Sequence, residues 1–175
     1  ATTAQIAEHA DISEGTIYQR FDSKEALFLA ALDISTPPEW QEMLDSFDGT
    51  RPLEEDLHEL ALEMIDFFEE IIPKMHMIMS NQLQADALFS VPDDPPPIRG
   101  VKALTKFFHE ERKRGRLGAC DPEITARMFI GSVHHFALFN VCGLDDYLPM
   151  PRETFVRGIV SNLLNPLAAE NDDET

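Results

Sequence analysis

The residues best suited to chemistry crowd the first 24 positions: Thr2, Ser13, Glu14, Gly15, Thr16, Tyr18, Gln19, Arg20 and Lys24. Hydroxyls, an amide, a phenol and two cations over so short a span are the groups that hydrogen-bond phosphate oxygens and the edges of bases. Thr2 and Gln5 have the S/T-x-x-E/Q spacing of a capping box, which predicts a short helix from about residue 3 to 10 with Ile6, Ala7 and Ala10 on its apolar side. Asp11-Ile12-Ser13 interrupts it, and Ser13 suits the N-cap of a second short helix that carries Ile17 and Phe21 four apart on its inner face. Asp22 or Ser23 caps a third helix, whose buried face of Leu27, Ala30, Ala31 and Ile34 runs until Thr36-Pro37-Pro38 stops it. Two short helices joined by a turn of about three residues, the second opening on small polar residues, form the unit that lays a recognition helix in a DNA major groove.

Three other groupings carry chemistry in principle. Met75-His76-Met77-Ile78-Met79 has soft ligands for a metal, but on a helix only Met75 and Met79 share a face, so these residues read as core or pocket lining. His134 and His135 point about 100° apart on a helix and do not chelate one ion easily; one is expected to face a pocket and the other a dimer seam. Arg112, Lys113, Arg114 and Arg116 sit where a helix C-terminus favours cations, which outweighs a nucleic-acid role. GxSxG, HExxH, P-loop and dinucleotide fingerprints are missing from the sequence, which implies no metal, no cofactor and no enzyme.

The elements that must position these residues are helical throughout. Leu53, Leu57, Leu60, Met64, Phe67 and Ile71 recur at 4-3-4-3-4 spacing and predict a helix over about 52–72, with Pro73 ending or kinking it and another helix over 74–89. Ser90 to Pro97 read as a loop. Val101, Leu104, Phe107 and Phe108 line a helix that ends at Gly115. Asp121-Pro122 opens a helix with two stripes: Ile124, Met128, Gly131, His135, Leu138 and Cys142 on one side, Phe129, Val133, Phe136 and Asn140 on another. A helix apolar on two faces is expected to be buried on two faces. The last helix, about 151–168, carries Val156, Val160, Leu163 and Leu167, with Gly158 allowing a neighbour close. No strand and no internal repeat is evident, and residues 171–175 form an acidic tail.

With 43% hydrophobic residues and 12 Phe in 175, the chain is globular. No apolar run reaches membrane-spanning length and nothing resembles a secretory leader, so a cytoplasmic protein that does not engage membranes is expected, with Cys120 and Cys142 as reduced thiols. The formal net charge of -18, from 14 Lys+Arg against 32 Asp+Glu, repels nucleic acid at long range. Such a surface fits a salt-loving host whose proteins stay soluble in brine.

The stretch TTAQIAEHADISEGTIYQRFDSKEALFLAAL, residues 2–32, closely resembles the helix-turn-helix of TetR-type transcriptional regulators, with that family's IA-x-x-A, S-x-G-T-x-Y and F-x-SKE-x-L elements. The resemblance implies an all-α fold: a DNA-binding domain over residues 1–34 whose first helix would precede Ala1, then a helical effector-binding and dimerisation domain over 35–170. By position, Thr2 and Tyr18 would bond phosphates and Lys24 would neutralise one. Ser13, Gly15 and Thr16 would open the recognition helix, with Thr16 at a base edge and Gln19 facing adenine. Three positions depart from the family pattern: Asp11 where a turn Gly is usual, Glu14 where a cation is common, and Arg20 where His or Tyr stands. Arg20 can add a phosphate contact or read guanine, whereas Glu14 has the wrong sign for phosphate unless it accepts from a cytosine amino group. Residues 1–33 hold two cations, Arg20 and Lys24, against six acids, a local net of -4, so weak and salt-sensitive operator binding is expected.

The expected function is a homodimeric, ligand-responsive repressor of a palindromic DNA operator, released by a mostly apolar small molecule. The residues expected to line its pocket are Trp40, Met64, Phe68, Met75, Met79, Phe89, Phe108, His134 and Phe136. By resemblance the last two helices make a two-fold four-helix seam, here from Ile124, Met128, Gly131, His135, Leu138, Val156, Val160, Leu163 and Leu167. The rival readings are a helical ligand-binding dimer that has lost DNA recognition, and an all-helical enzyme using His134 or His135 as a base.

Overall fold

Capping chemistry starts the N-terminal helices where the sequence places them, in a computed structural model that describes residues 2–32, 37–80, 86 and 94–165. Helices α1 (Thr3–His9), α2 (Glu14–Arg20) and α3 (Lys24–Ala31) are followed by α4 (Glu39–Ser46), α5 (Leu53–Met79), α6 (Pro96–Lys113), α7 (Pro122–Val141) and α8 (Arg152–Leu164), and among the described residues no strand forms. The chain divides into two compact units, one of residues 1–37 with 73–96 and one of residues 38–72 with 97–175. The expected boundary at residue 34 falls outside the described residues, as do Phe89, Leu167 and the acidic tail.

In the first unit, α1 packs on α2 through Ala7 and Ile17, which are 3% and 4% exposed. The second unit is organised around α5, whose apolar stripe buries Leu53, Leu57, Leu60 and Met64 as the spacing predicts. Against that stripe lie Trp40 and Leu44 of α4, Leu104, Phe107 and Phe108 of α6, Phe129, Val133 and Phe136 of α7, and Val156 and Val160 of α8, in one contiguous cluster. Each such side chain removed from water contributes about 1.5–3 kcal/mol. Ring contacts tie the helices together: Phe108 meets Phe129 edge-on with centroids 5.9 Å apart, and Phe136 stacks on Phe155 at 4.3 Å.

Two sequence expectations need correction. Pro73 does not end its helix: α5 continues to Met79 as one element, because a proline removes a single backbone donor and the neighbouring turns hold. Residues 39–46, for which no helix was expected, form α4, where Trp40 and Leu44 share the buried face. Within one chain, helix α7 is covered on one of its two apolar faces, and the other is the stripe expected at the dimer seam. Phe129, Val133 and Phe136 are in the core, whereas Ile124 and Met128 are 55% and 66% exposed.

Burial raises the Glu63 carboxyl above its ordinary 4.5, and the charges of Glu39 and Asp66 push it further the same way. The folded state therefore holds this proton more tightly than the unfolded chain, and ionised Glu63 opposes folding once the pH rises past that ordinary value. Glu63→Gln is expected to raise the urea midpoint at pH 7 and to leave it unchanged well below pH 4.5, which parallel unfolding curves at the two pH values would check.

Candidate functional site

Three side-chain caps build the N-terminal surface. The Thr2 hydroxyl accepts from the Gln5 amide at 3.2 Å while the Gln5 side chain accepts from the Thr2 amide at 2.9 Å, completing the capping box. The Ser13 hydroxyl accepts from the Thr16 amide at 3.1 Å, and the Ser23 hydroxyl from the Ala26 amide at 3.0 Å. The first helix ends in a Schellman turn: the Asp11 amide donates to the Glu8 carbonyl at 3.2 Å and the Ile12 amide to the Ala7 carbonyl at 3.0 Å. Asp11 occupies the left-handed position of that turn with φ 54°, the conformation glycine adopts without a Cβ penalty. This is a physical reason for the family's glycine here, and Asp is among the few other residues that tolerate it. Asp11→Gly is expected to stabilise the chain by about 0.5–1 kcal/mol and, by removing a negative charge, to tighten DNA binding. A urea midpoint that stays put or falls would contradict the strain.

All nine residues expected to meet DNA are exposed: Thr2, Ser13, Glu14, Gly15, Thr16, Tyr18, Gln19, Arg20 and Lys24. Tyr18 shows about half its surface, 49%. The structure revises the role expected of Glu14. Its carboxylate accepts a hydrogen bond from the hydroxyl of Thr3, itself 8% exposed, and the Tyr18 hydroxyl stands 3.3 Å from the same Thr3 oxygen. The acid thus fastens α2 to α1 and does not simply oppose a phosphate. Thr3 escaped the sequence reading because its neighbour Thr2 accounts for the cap.

The cations at the end of α6 and just beyond it are paired: Arg112, Lys113 and Arg114 are exposed, and Arg116 is largely covered. Arg112 donates to the Cys120 carbonyl at 2.7 Å and Lys113 to Glu110 at 3.0 Å. Gly115, at φ 75°, reverses the chain so that Arg116 returns to Glu111. The Arg116 guanidinium donates to Glu111, to the Arg51 carbonyl and, at 3.2 Å, to Asp56. Arg114 adds a 2.7 Å bond to the other Glu111 oxygen. Glu111 is 0% and Asp56 1% exposed, so the cluster neutralises two buried carboxylates. Hydrogen bonding to Glu111, opposed by partial burial, raises Arg116 above the usual arginine range. The expectation that these cations answer the helix dipole covers only part of their role, since their partners lie up to 67 residues away.

The expected ligand-pocket residues divide. Trp40, Met64, Phe68, Phe108 and Phe136 lie together in the packed core, with His134 exposed at its edge, its ring 5.1 Å from that of Phe68. Met75 and Met79 belong to the first unit, half-buried and 46% exposed. A cavity of about 500 Å³ lies elsewhere in the second unit, lined by Glu39, Glu42, Met43, Ser46, Phe47, Asp48, Arg51, Asp56 and Glu59, none of them an expected pocket residue. The run of acids from Glu39 to Glu59 was the available signal, masked by acidity along the whole chain.

The expected dimer seam also divides. Ile124, Met128, Gly131 and His135 are exposed and Leu138 is half-buried, in one stripe on α7. Val156 and Val160 are 0% and 1% exposed inside the core, where they belong to the same cluster as Phe129, Val133 and Phe136 of α7. Leu163 is half-buried, and α8 turns Arg157, Gly158 and Ser161 outward instead. Among the described residues no helix is long and apolar enough to cross a membrane.

Two family profiles match the chain: bacterial regulatory proteins of the tetR family over residues 1–31, and the C-terminal domain of AefR-like transcriptional repressors over residues 55–163. No curated protein matches it. Among solved structures, a Clostridium perfringens protein described as a fatty acid metabolism regulator aligns with a TM-score of 0.65 and 20% identity, over 96% of this chain and 89% of that one. The transcriptional regulator FadR from Bacillus subtilis, in complex with stearoyl-CoA, aligns with a TM-score of 0.56 and 15% identity over 96% and 89%. AibR, in complex with isovaleryl coenzyme A and operator DNA, gives 0.53 and 18% over 95% and 89%. At such identities the likeness is one of fold.

Proposed function

The chain belongs to the tetR family of bacterial regulatory proteins, and from that premise we propose that it is a homodimeric repressor, reading a palindromic operator and released by a mostly apolar small molecule. The observation that carries this reading is the exposure of all nine candidate DNA-facing residues on helices started by hydroxyl caps. Phosphate contacts from Thr2, Tyr18, Lys24 and Arg20 would set register, while Thr16 and Gln19 would read bases. The uncovered stripe on α7 supports a two-fold pairing, which presents two recognition helices to half-sites about one helical turn, or a multiple, apart.

The effector site we propose is the core of Met64, Phe68, Phe108 and Phe136. These side chains pack on one another, so a ligand enters by separating them and favours the conformer that admits it. An acyl thioester is the first class to try, since FadR and AibR are described with stearoyl-CoA and isovaleryl coenzyme A. Release follows if that conformer spaces the recognition helices wrongly for DNA.

Electrophoretic mobility shift with DNA flanking the protein's own gene, at several salt concentrations and with and without acyl thioester, tests the reading. Binding that ligand weakens is expected. Failure to bind at low salt would favour the rival, a ligand-binding dimer without DNA recognition, to which the acidity of residues 1–33 lends some weight. Arg20→Ala is expected to weaken binding and to lower the slope of log affinity against log salt by about 1. An unchanged slope would remove Arg20 from the phosphate contacts.

A further inference from the structure

The cavity between α4, the segment that follows it and the first two turns of α5 has chemistry that the repressor reading does not use. Five carboxylates line it against one guanidinium, that of Arg51. Arg51 is already divided, with Nη1 2.8 Å from Glu59 and Nε 3.8 Å from both Asp56 and Glu55. Glu39 and Glu42 have no hydrogen bond or ion pair among the described residues. Asp48 stays negative, because hydrogen bonds from the Thr50 hydroxyl and amide hold its carboxyl below the ordinary range. Asp56 is the most informative. It is 1% exposed, one of its oxygens is committed to Arg116, and the other, Oδ1, has Arg51 Nε 3.8 Å away as an ion-pair partner but no hydrogen-bond donor. A buried carboxylate oxygen left in that state is costly unless a donor is supplied.

We infer that this cavity binds an organic polycation: a molecule with two or more ammonium groups on an aliphatic stem. A primary ammonium brings three donors and a secondary one two, so one group could supply the hydrogen bond that Asp56 Oδ1 lacks while another meets Glu39 or Glu42. A metal ion is a poor match, because among the described residues no three acidic, histidine or cysteine side chains converge to hold one. Carboxylates spread around about 500 Å³ suit charges that are likewise separated, and Met43 and Phe47 offer an apolar wall for the methylenes between them. The site uses none of the DNA-facing residues, so it is testable whether or not the operator reading holds.

Calorimetric titration of the full chain with spermidine, at about physiological ionic strength, provides the test. Saturable binding with a stoichiometry of one is expected, and magnesium at the same total charge should not displace it. Glu39→Gln with Glu42→Gln should weaken binding about tenfold, as two lost charge contacts imply. Asp145→Asn with Asp146→Asn removes the same charge from exposed positions outside the cavity and should leave the affinity within about twofold. Because Asp56→Asn disturbs the Arg116 cluster and is liable to unfold, the Glu39/Glu42 double variant carries the decision. Non-saturable binding, equal weakening by both double variants, or displacement by magnesium would overturn the assignment.

Discussion

Met128→Glu is expected to leave the fold intact, turn the dimer into a monomer and weaken operator binding by about 10²–10⁴-fold. Met128 is 66% exposed, while Phe129 and Val133, which lie on the other side of the same helix, are 2% and 0% exposed in the core. A change at 128 therefore spares the packing that holds the second unit together. Ile124, Met128, Gly131, His135 and Leu138 repeat at 4-3-4-3 spacing, which leaves a continuous stripe, and Gly131 has open space where a side chain would sit. Two copies meeting across a two-fold axis bring the same positions together, so each introduced carboxylate would enter an apolar seam close to its own image. A desolvated carboxylate facing a like charge opposes association strongly. The monomer would keep one recognition helix and lose the effective concentration that a second half-site gives. Light scattering after size exclusion, circular dichroism and mobility shift measure the three quantities separately. A variant that remains dimeric would place the seam elsewhere than on α7.

Arg116→Ala should cost about 3–5 kcal/mol of folding stability, the range observed when one partner of a buried ion pair is removed. The guanidinium spans Glu111 and Asp56, carboxylates 0% and 1% exposed on α6 and α5, and also bonds the Arg51 carbonyl. Without it, Glu111 retains only the half-exposed Arg114, and Asp56 only Arg51 at 3.8 Å. Arg116→Lys should lose an intermediate amount, because a single ammonium is a point charge and cannot reproduce the fork that reaches three acceptors at once. Urea unfolding with an unchanged m-value checks both. A loss near zero for the alanine variant would mean that the two acids find other counter-charges.

The parts of the fold legible in the sequence are those set by neighbours along the chain. Ser13, Ser23 and Asp121 cap helices at the positions their spacing predicts, because a cap is a contact with the second or third amide onward. The stripe along α5 was legible for the same reason. Pro73 misled because proline is a strong breaker in isolation, whereas packing on both sides can carry a helix through it. Helix α4 was overlooked although Trp40 and Leu44 stand four apart and Pro37-Pro38 precedes them; eight residues between prolines and an Asp-Gly turn are a faint periodic signal. Val156 and Val160 were assigned to the seam because apolar spacing shows that a face is buried without saying by what. The cluster of Arg116, Glu111 and Asp56 joins residues up to 60 apart, and nothing local singles out two acids from 32.

The pairing of the cations around the end of α6 has a further consequence for how such a protein would behave among the many competing sites of a chromosome. With Arg112, Lys113, Arg114 and Arg116 held by the protein's own oxygens, the described helices of the N-terminal unit offer Arg20 and Lys24 to a duplex. Random duplex would retain it little, so sliding and off-target residence would be brief. Occupancy would then depend on the few contacts that tell one base pair from another, which makes selectivity high at the expense of tight grip.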